Sequence, residues 1–159
     1  MSVPERQAQV QEQMGDTSGA HPLWECALRL NPYRDRALVA WVKHLTPNEC
    51  AAASSMLDAE PYAYWPNGNV TLARAFALAC AARWALAEQL FVDVLESDPA
   101  NGDAALGLGR SWVRQQRRRE ALDALCVAGR VGAQRAEVSR ELRNLSKTLR
   151  DCVPAARVK

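Results

Sequence analysis

The chain is poor in aromatic residues: Phe, Trp and Tyr make up 6% of 159 residues, and only two are Phe. It lacks β-branched runs of strand length, which argues against a sheet. No window approaches the roughly eighteen consecutive apolar residues of a membrane span. The first residues lack a cationic start followed by an apolar core, so no secretory leader is expected. Histidine is scarce, with only His21 and His44 present. Neither sits in a nucleophile motif or in H-E-x-x-H spacing, so the sequence indicates no catalytic residue and no metal site. Phosphate-loop patterns are missing too, and no cofactor is expected. The five cysteines, Cys26, Cys50, Cys80, Cys126 and Cys152, stand singly at wide spacing. An odd, scattered set reads as reduced thiols in a cytoplasmic protein.

What is present favours helix. Ala, Leu and Arg abound, hydrophobic residues reach 48% and charged residues 24%. Residues 1–99 carry 7 Lys/Arg against 12 Asp/Glu, while residues 100–159 carry 13 against 6. The basic end has no interleaved aromatics for base stacking, so nucleic acid is not indicated. Arg114, Arg117, Arg118 and Arg119 fall at an inter-helix turn, as a solvated end or a docking patch for an acidic partner.

Residues 1–20 are polar and Gln-rich with no apolar face, and are expected to be a disordered tail. Helical patterns then cover 22–32, 34–45, 46–60, 70–83, 85–98, 102–116, 119–130 and 135–152. The third opens with Thr46, Pro47 and Glu49, a capping box with Pro at the first helical position. The last places Val138, Leu142, Leu145, Leu149 and Cys152 on one narrow stripe of a charged helix. Residues 153–159 read as a tail. "PYAYWPNGN" (61–69) is a loop, where Tyr62, Tyr64 and Trp65 either cover the hairpin below or face a partner.

Pro32, Pro66 and Pro99 recur at spacings of 34 and 33. In 68–101 small residues fall at Ala75 and Ala87, an aromatic at Phe91 and a closing proline at Pro99. In 102–135 the corresponding set is Leu108, Gly109, Trp112, Ala121, Leu125 and Ala128, with Ala133 in place of the proline. Small residues at Gly109, Ala121 and Ala128 let neighbouring helix axes approach closely. This pattern resembles the tetratricopeptide repeat (TPR) family. Residues 68–101 and 102–135 match it clearly, 22–67 as degenerate repeats, and 135–152 as a polar capping helix. The resemblance implies an all-α fold: antiparallel helix hairpins stacked as a short right-handed superhelix, one domain over 21–152. The rival reading is a generic helical bundle.

The resemblance further implies a concave groove lined by Asn69, Leu72, Phe76, Cys80, Asp103, Leu106, Arg110, Val113 and Arg114. Such a groove suits an apolar partner segment bearing an acidic residue. The chain would then be a non-enzymatic adaptor or chaperone. The "GLG" at 107–109, Ala121 and the A-E-x-L-F run at 87–91 are also similar to small TPR-type chaperones of bacterial type III secretion. The alternative is a structural subunit or homo-oligomer with the groove permanently buried.

Overall fold

Short polar side chains set the helix starts of this chain. Asp16 Oδ1 accepts from Gly19 N at 2.8 Å, Asn67 Oδ1 from Asn69 N at 2.7 Å, and Asn101 Oδ1 from Ala104 N at 3.0 Å. Each bond satisfies a backbone donor that the first turn leaves open. Several helices stop on a left-handed residue: Gly15, Ala82, Gln116, Gly132 and Ser146 all have positive φ. Behind three of these, Arg83 N, Arg117 N and Lys147 N each reach back 2.9 Å to the carbonyls of Leu78, Trp112 and Leu142. These bonds close the helix end in the Schellman manner.

The computed structural model describes residues 1–133 and 135–152, and no strand occurs among them. The chain divides into two compact units, Met1–Arg83 and Trp84–Lys159. The first holds α1 (Val3–Gln13), α2 (Thr17–Leu30), α3 (Asp35–Lys43), α4 (Cys50–Leu57) and α5 (Gly68–Cys80). Within it α1 packs on α2, α2 on α3, and both α3 and α4 on α5. The second holds α6 (Trp84–Ser97), α7 (Gly102–Arg114), α8 (Arg118–Arg130) and α9 (Arg135–Asn144). There α6 packs on α7, α7 on α8, and α9 on both α7 and α8. The division runs through the expected repeat 68–101, with α5 in one unit and α6 in the other.

The second unit bears out the small-residue pattern. A Cβ on Gly109 would lie 2.7 Å from Leu125 Cγ, and one on Gly107 would enter the Phe91 ring. Ala121 and Ala128 are fully buried. Leu106, Leu125, Val138, Leu142 and Leu145 complete a core with them.

Four expectations are corrected. Residues 1–20 contain α1 and the start of α2 rather than a disordered tail. The buried face of α1 is polar, which hid it: Glu5 and Ala8 are buried, and Glu12 is half-buried beside them. Its partners come from later in the chain. Glu5 pairs with Arg34 at 3.1 Å, and Glu12 accepts from Trp24 Nε1 at 2.9 Å and lies 3.6 Å from His44 Nε2. Second, the capping helix ends at Asn144, because Ser146 turns left-handed; a 3-10 turn over Leu149–Asp151 follows. The apolar set is nevertheless right, since Leu149 and Cys152 pack on the same core. Third, α4 is shorter than 46–60, because its first turn, Pro47–Glu49, is a 3-10 turn and the chain leaves the helix at Asp58. Fourth, the thiols are not all reduced. Cys50 bonds Cys80 and Cys126 bonds Cys152, with Cα–Cα distances of 5.5 and 5.2 Å; Cys26 is free and exposed. Each bridge joins residues far apart in sequence that helix packing brings together, so spacing alone did not reveal them. The tail expected at 153–159 lies outside the described residues.

Candidate functional site

The nine residues expected to line a groove divide between the two units. In Met1–Arg83, Leu72 and Phe76 are buried core residues of α5, and Cys80 is in the Cys50 bridge. Asn69 Nδ2 donates to Asp35 Oδ2 at 2.9 Å. In Trp84–Lys159, Leu106 is wholly buried, Val113 packs at the edge of the core, and Asp103 sits in the first turn of α7. Arg110 Nε donates to Glu141 Oε1 at 3.0 Å, with Glu137 Oε2 at 4.0 Å from its Nη2. Of the nine, Arg114 alone is exposed.

Leu72, Phe76, Leu106 and Arg110 therefore depart from an open lining. The physical reason is local: α3 and α4 pack on α5, and α9 packs on α7. The acidic residue sought on a partner is supplied to Arg110 by α9 itself. The neighbouring arginines are largely occupied too. Arg117 pairs with Glu88 at 2.7 Å and lies over the Trp112 ring, and Arg118 donates to Leu145 O at 2.8 Å. Burial raises the Glu88 carboxyl, but the hydrogen bonds from Gln115 and Arg117 and the Arg117 charge help hold it below the ordinary carboxylate value.

An open hollow of about 530 Å³ lies instead in Met1–Arg83, where the turn after α2 meets the loop between α4 and α5. Its walls are Pro32, Pro61 and Pro66, with Tyr33, Tyr64 and Trp65 between them and Glu60 at the rim. Tyr64 is 84% exposed and Tyr33 64%. The Tyr33 and Trp65 rings meet edge to face at 5.5 Å. A second hollow of about 290 Å³ shares Pro32, Glu60 and Pro61 and reaches Trp41 and Met56.

The loop that carries these rings is tightly tied. Arg74 on α5 donates to Leu57 O at 2.6 Å, to Tyr62 O at 3.3 Å and to Asp58 Oδ1 at 2.9 Å. Tyr62 is buried, and its hydroxyl donates to Pro32 O at 2.8 Å, fastening one wall to the other. Burial pushes the Tyr62 phenol up. Asp35 receives Asn67 and Asn69 at 3.1 and 2.9 Å. Burial raises its carboxyl, and these amides together with Arg36 bring it below the usual value.

Sequence reasoning singled out Tyr62, Tyr64 and Trp65, and the structure separates them: Tyr62 anchors the loop, while Tyr64 and Trp65 face the hollow. It missed Tyr33 and Glu60. A signal was available, because a Pro-Tyr pair occurs in each of the two loops, at 32–33 and 61–62. Among the described residues no three His, Cys, Asp or Glu side chains converge as a metal site. No described helix is long and apolar enough to cross a membrane.

Paired helices, glycine and alanine contacts between them and an all-α chain define a TPR-like fold. Comparison with solved structures supports this at the level of fold. A chain of the APC/C hetero-tetramer Cut9–Hcn1 superposes with a TM-score of 0.63 at 15% identity over 87% of this chain. This chain spans 30% of that chain's length. TTC0263, a thermophilic TPR protein of Thermus thermophilus, also gives 0.63, at 18% identity, covering 94% of this chain and 84% of that one. MamA AMB-1 aligns at 16% identity over 96% of this chain and 93% of its own, with a TM-score of 0.49. No protein-family model and no curated protein matches the chain.

Proposed function

We propose that the chain is a non-catalytic protein–protein interaction module, an adaptor that holds a short segment of a partner protein. The observation that carries this reading is the hollow between Pro32 and Pro66, where Tyr33, Tyr64 and Trp65 are displayed on a braced loop. Exposed aromatic rings at a fixed concave surface are the usual anchors of protein interfaces. This moves the binding surface away from α7, whose Arg110 is already neutralised by Glu141. The type III secretion chaperone is a narrower version of the same reading and rests on the chain length and on the motifs within residues 87–121. Two disulfides fit an oxidising compartment and remove the basis for a cytoplasmic one.

The test is purification from the native cell, with light scattering for mass and mass spectrometry for what co-elutes. A stoichiometric foreign polypeptide that is lost from a Tyr64→Ala, Trp65→Ala variant supports the module. A clean homo-oligomer, or a partner retained by that variant, favours the structural-subunit alternative or another surface.

A further inference from the structure

Resting on that reading, we propose the chemistry of the segment bound: an extended, proline-bearing peptide with a Lys or Arg beside its prolines. Three observations lead there. The first is the lining. Tyr33, Tyr64 and Trp65 form a ridge of rings between proline walls, and the Trp65 Nε1–H has no acceptor among the described residues. Proline rings pack flat on such aromatics, and an indole N–H can donate to the carbonyl of an extended peptide, which makes no internal hydrogen bonds.

The second is charge. Glu60 borders both hollows and pairs with no cation among the described residues. The nearby Arg29 is taken by Glu25 at 2.5 Å. The rim thus offers one uncompensated negative charge next to aromatic faces, a setting that attracts a cation through both.

The third is preparation. Arg74, Tyr62 and Asp35 hold the loop before any ligand arrives. A peptide already extended and a loop already braced lose little conformational freedom on binding. A hollow of about 530 Å³ accommodates a few residues, which suits a short segment better than a long amphipathic helix.

The experiment uses the full chain, ¹⁵N-labelled, and a synthetic probe, acetyl-Ala-Pro-Pro-Ala-Pro-Pro-Arg-amide. The Trp65 indole resonance, assigned with Trp65→Phe, should shift saturably while that of Trp112 stays still. Tyr64→Ala, at a highly exposed position, should weaken binding about tenfold. Glu60→Gln should weaken it about threefold at low salt and leave a probe ending in Gln unaffected. The inference is overturned if Trp65 does not move, if an all-alanine probe binds as well, or if a probe ending in Glu binds as tightly as one ending in Arg. It also fails if the free protein's Trp65 resonance moves on concentration or on removal of residues 153–159, since the chain itself then fills the hollow. If the probes fail while Tyr64→Ala, Trp65→Ala still releases a natural partner, the peptide chemistry falls and the module reading stands.

Discussion

In Trp84–Lys159, Gly107 and Gly109 bring α7 against Phe91 of α6 and Leu125 of α8, and the core is continuous and apolar. In Met1–Arg83 an apolar core around Leu38, Leu57, Leu72 and Phe76 is joined by a wider set of polar ties: Glu5 to Arg34, Glu12 to Trp24 and His44, Asp35 to two asparagines, and Arg74 to two carbonyls. The other unit has fewer, chiefly Arg110 to Glu141 and Arg117 to Glu88. The difference is one of proportion. Close packing rewards a regular repeat, because every helix must meet its neighbour at the same depth. Polar ties fix individual segments and tolerate an irregular loop, and the irregular loop is where the aromatic hollow is found.

Both units carry one disulfide, and removing either should have the largest effect. Cys126→Ser with Cys152→Ser should destabilise its unit by about 3 kcal/mol, and Cys50→Ser with Cys80→Ser by a similar amount. Thermal unfolding with and without reductant checks this; a reductant-insensitive melt would remove the bridges from the stability argument. Next comes packing. Gly109→Leu should cost about 1–3 kcal/mol, because even a Cβ there is too close to Leu125. Hydrogen exchange should show the loss in α7 and α8; an unchanged melting curve would undo the close-contact account.

The polar ties predict a smaller effect that distinguishes the units. Arg74→Met leaves Leu57 O without the Arg74 donor and Tyr62 O with only the Trp65 N–H, and should cost about 1–2 kcal/mol, with faster exchange in residues 57–66. Acid should act on the same unit. Glu5, Glu12, Asp35 and Glu49 all have lowered folded pKa values, against Glu88 and Asp151 in the other unit. A carboxylate whose folded pKa is depressed gives stability that is present above its unfolded pKa, about 4. That stability is lost as the pH falls through the folded value. Exchange protection in α1 and α3 should therefore drop below about pH 4 before that of α7 and α8; simultaneous loss would argue against the contrast.

The smallest expected effect is a gain. Gln116 and Ser146 hold a left-handed backbone at helix ends that glycine adopts freely, with φ of 61° and 55°. Gln116→Gly or Ser146→Gly should stabilise the second unit by about 0.5–1 kcal/mol, read as a rise in its melting temperature.

The same contrast explains what could be read in the sequence. Gly109, Ala121, Leu125 and Ala128 announce themselves through spacing, since each is an apolar or small residue at a helical interval. Helix α1 does not, because its buried face is Glu5, Ala8 and Glu12 and its partners lie up to 32 residues away in the chain. Arg110 reads as a free cation for the same reason: its acceptor, Glu141, is 31 residues on. The end of α9 was hidden because Ser146 is not a residue that signals a left-handed turn. Tyr64 and Trp65 were legible as loop aromatics; Glu60 shares their loop but reads as an ordinary surface charge, and Tyr33 joins them only where Tyr62 bonds to Pro32.

The bridge between Cys50 and Cys80 has a topological consequence. It closes a covalent ring that contains the entire loop from Asp58 to Asn67. A protease that cuts this loop would produce a species one water heavier whose two fragments stay joined through sulfur. Such a nicked molecule would run as a single band without reductant and as two bands with it, and its helices would remain anchored on either side of the cut.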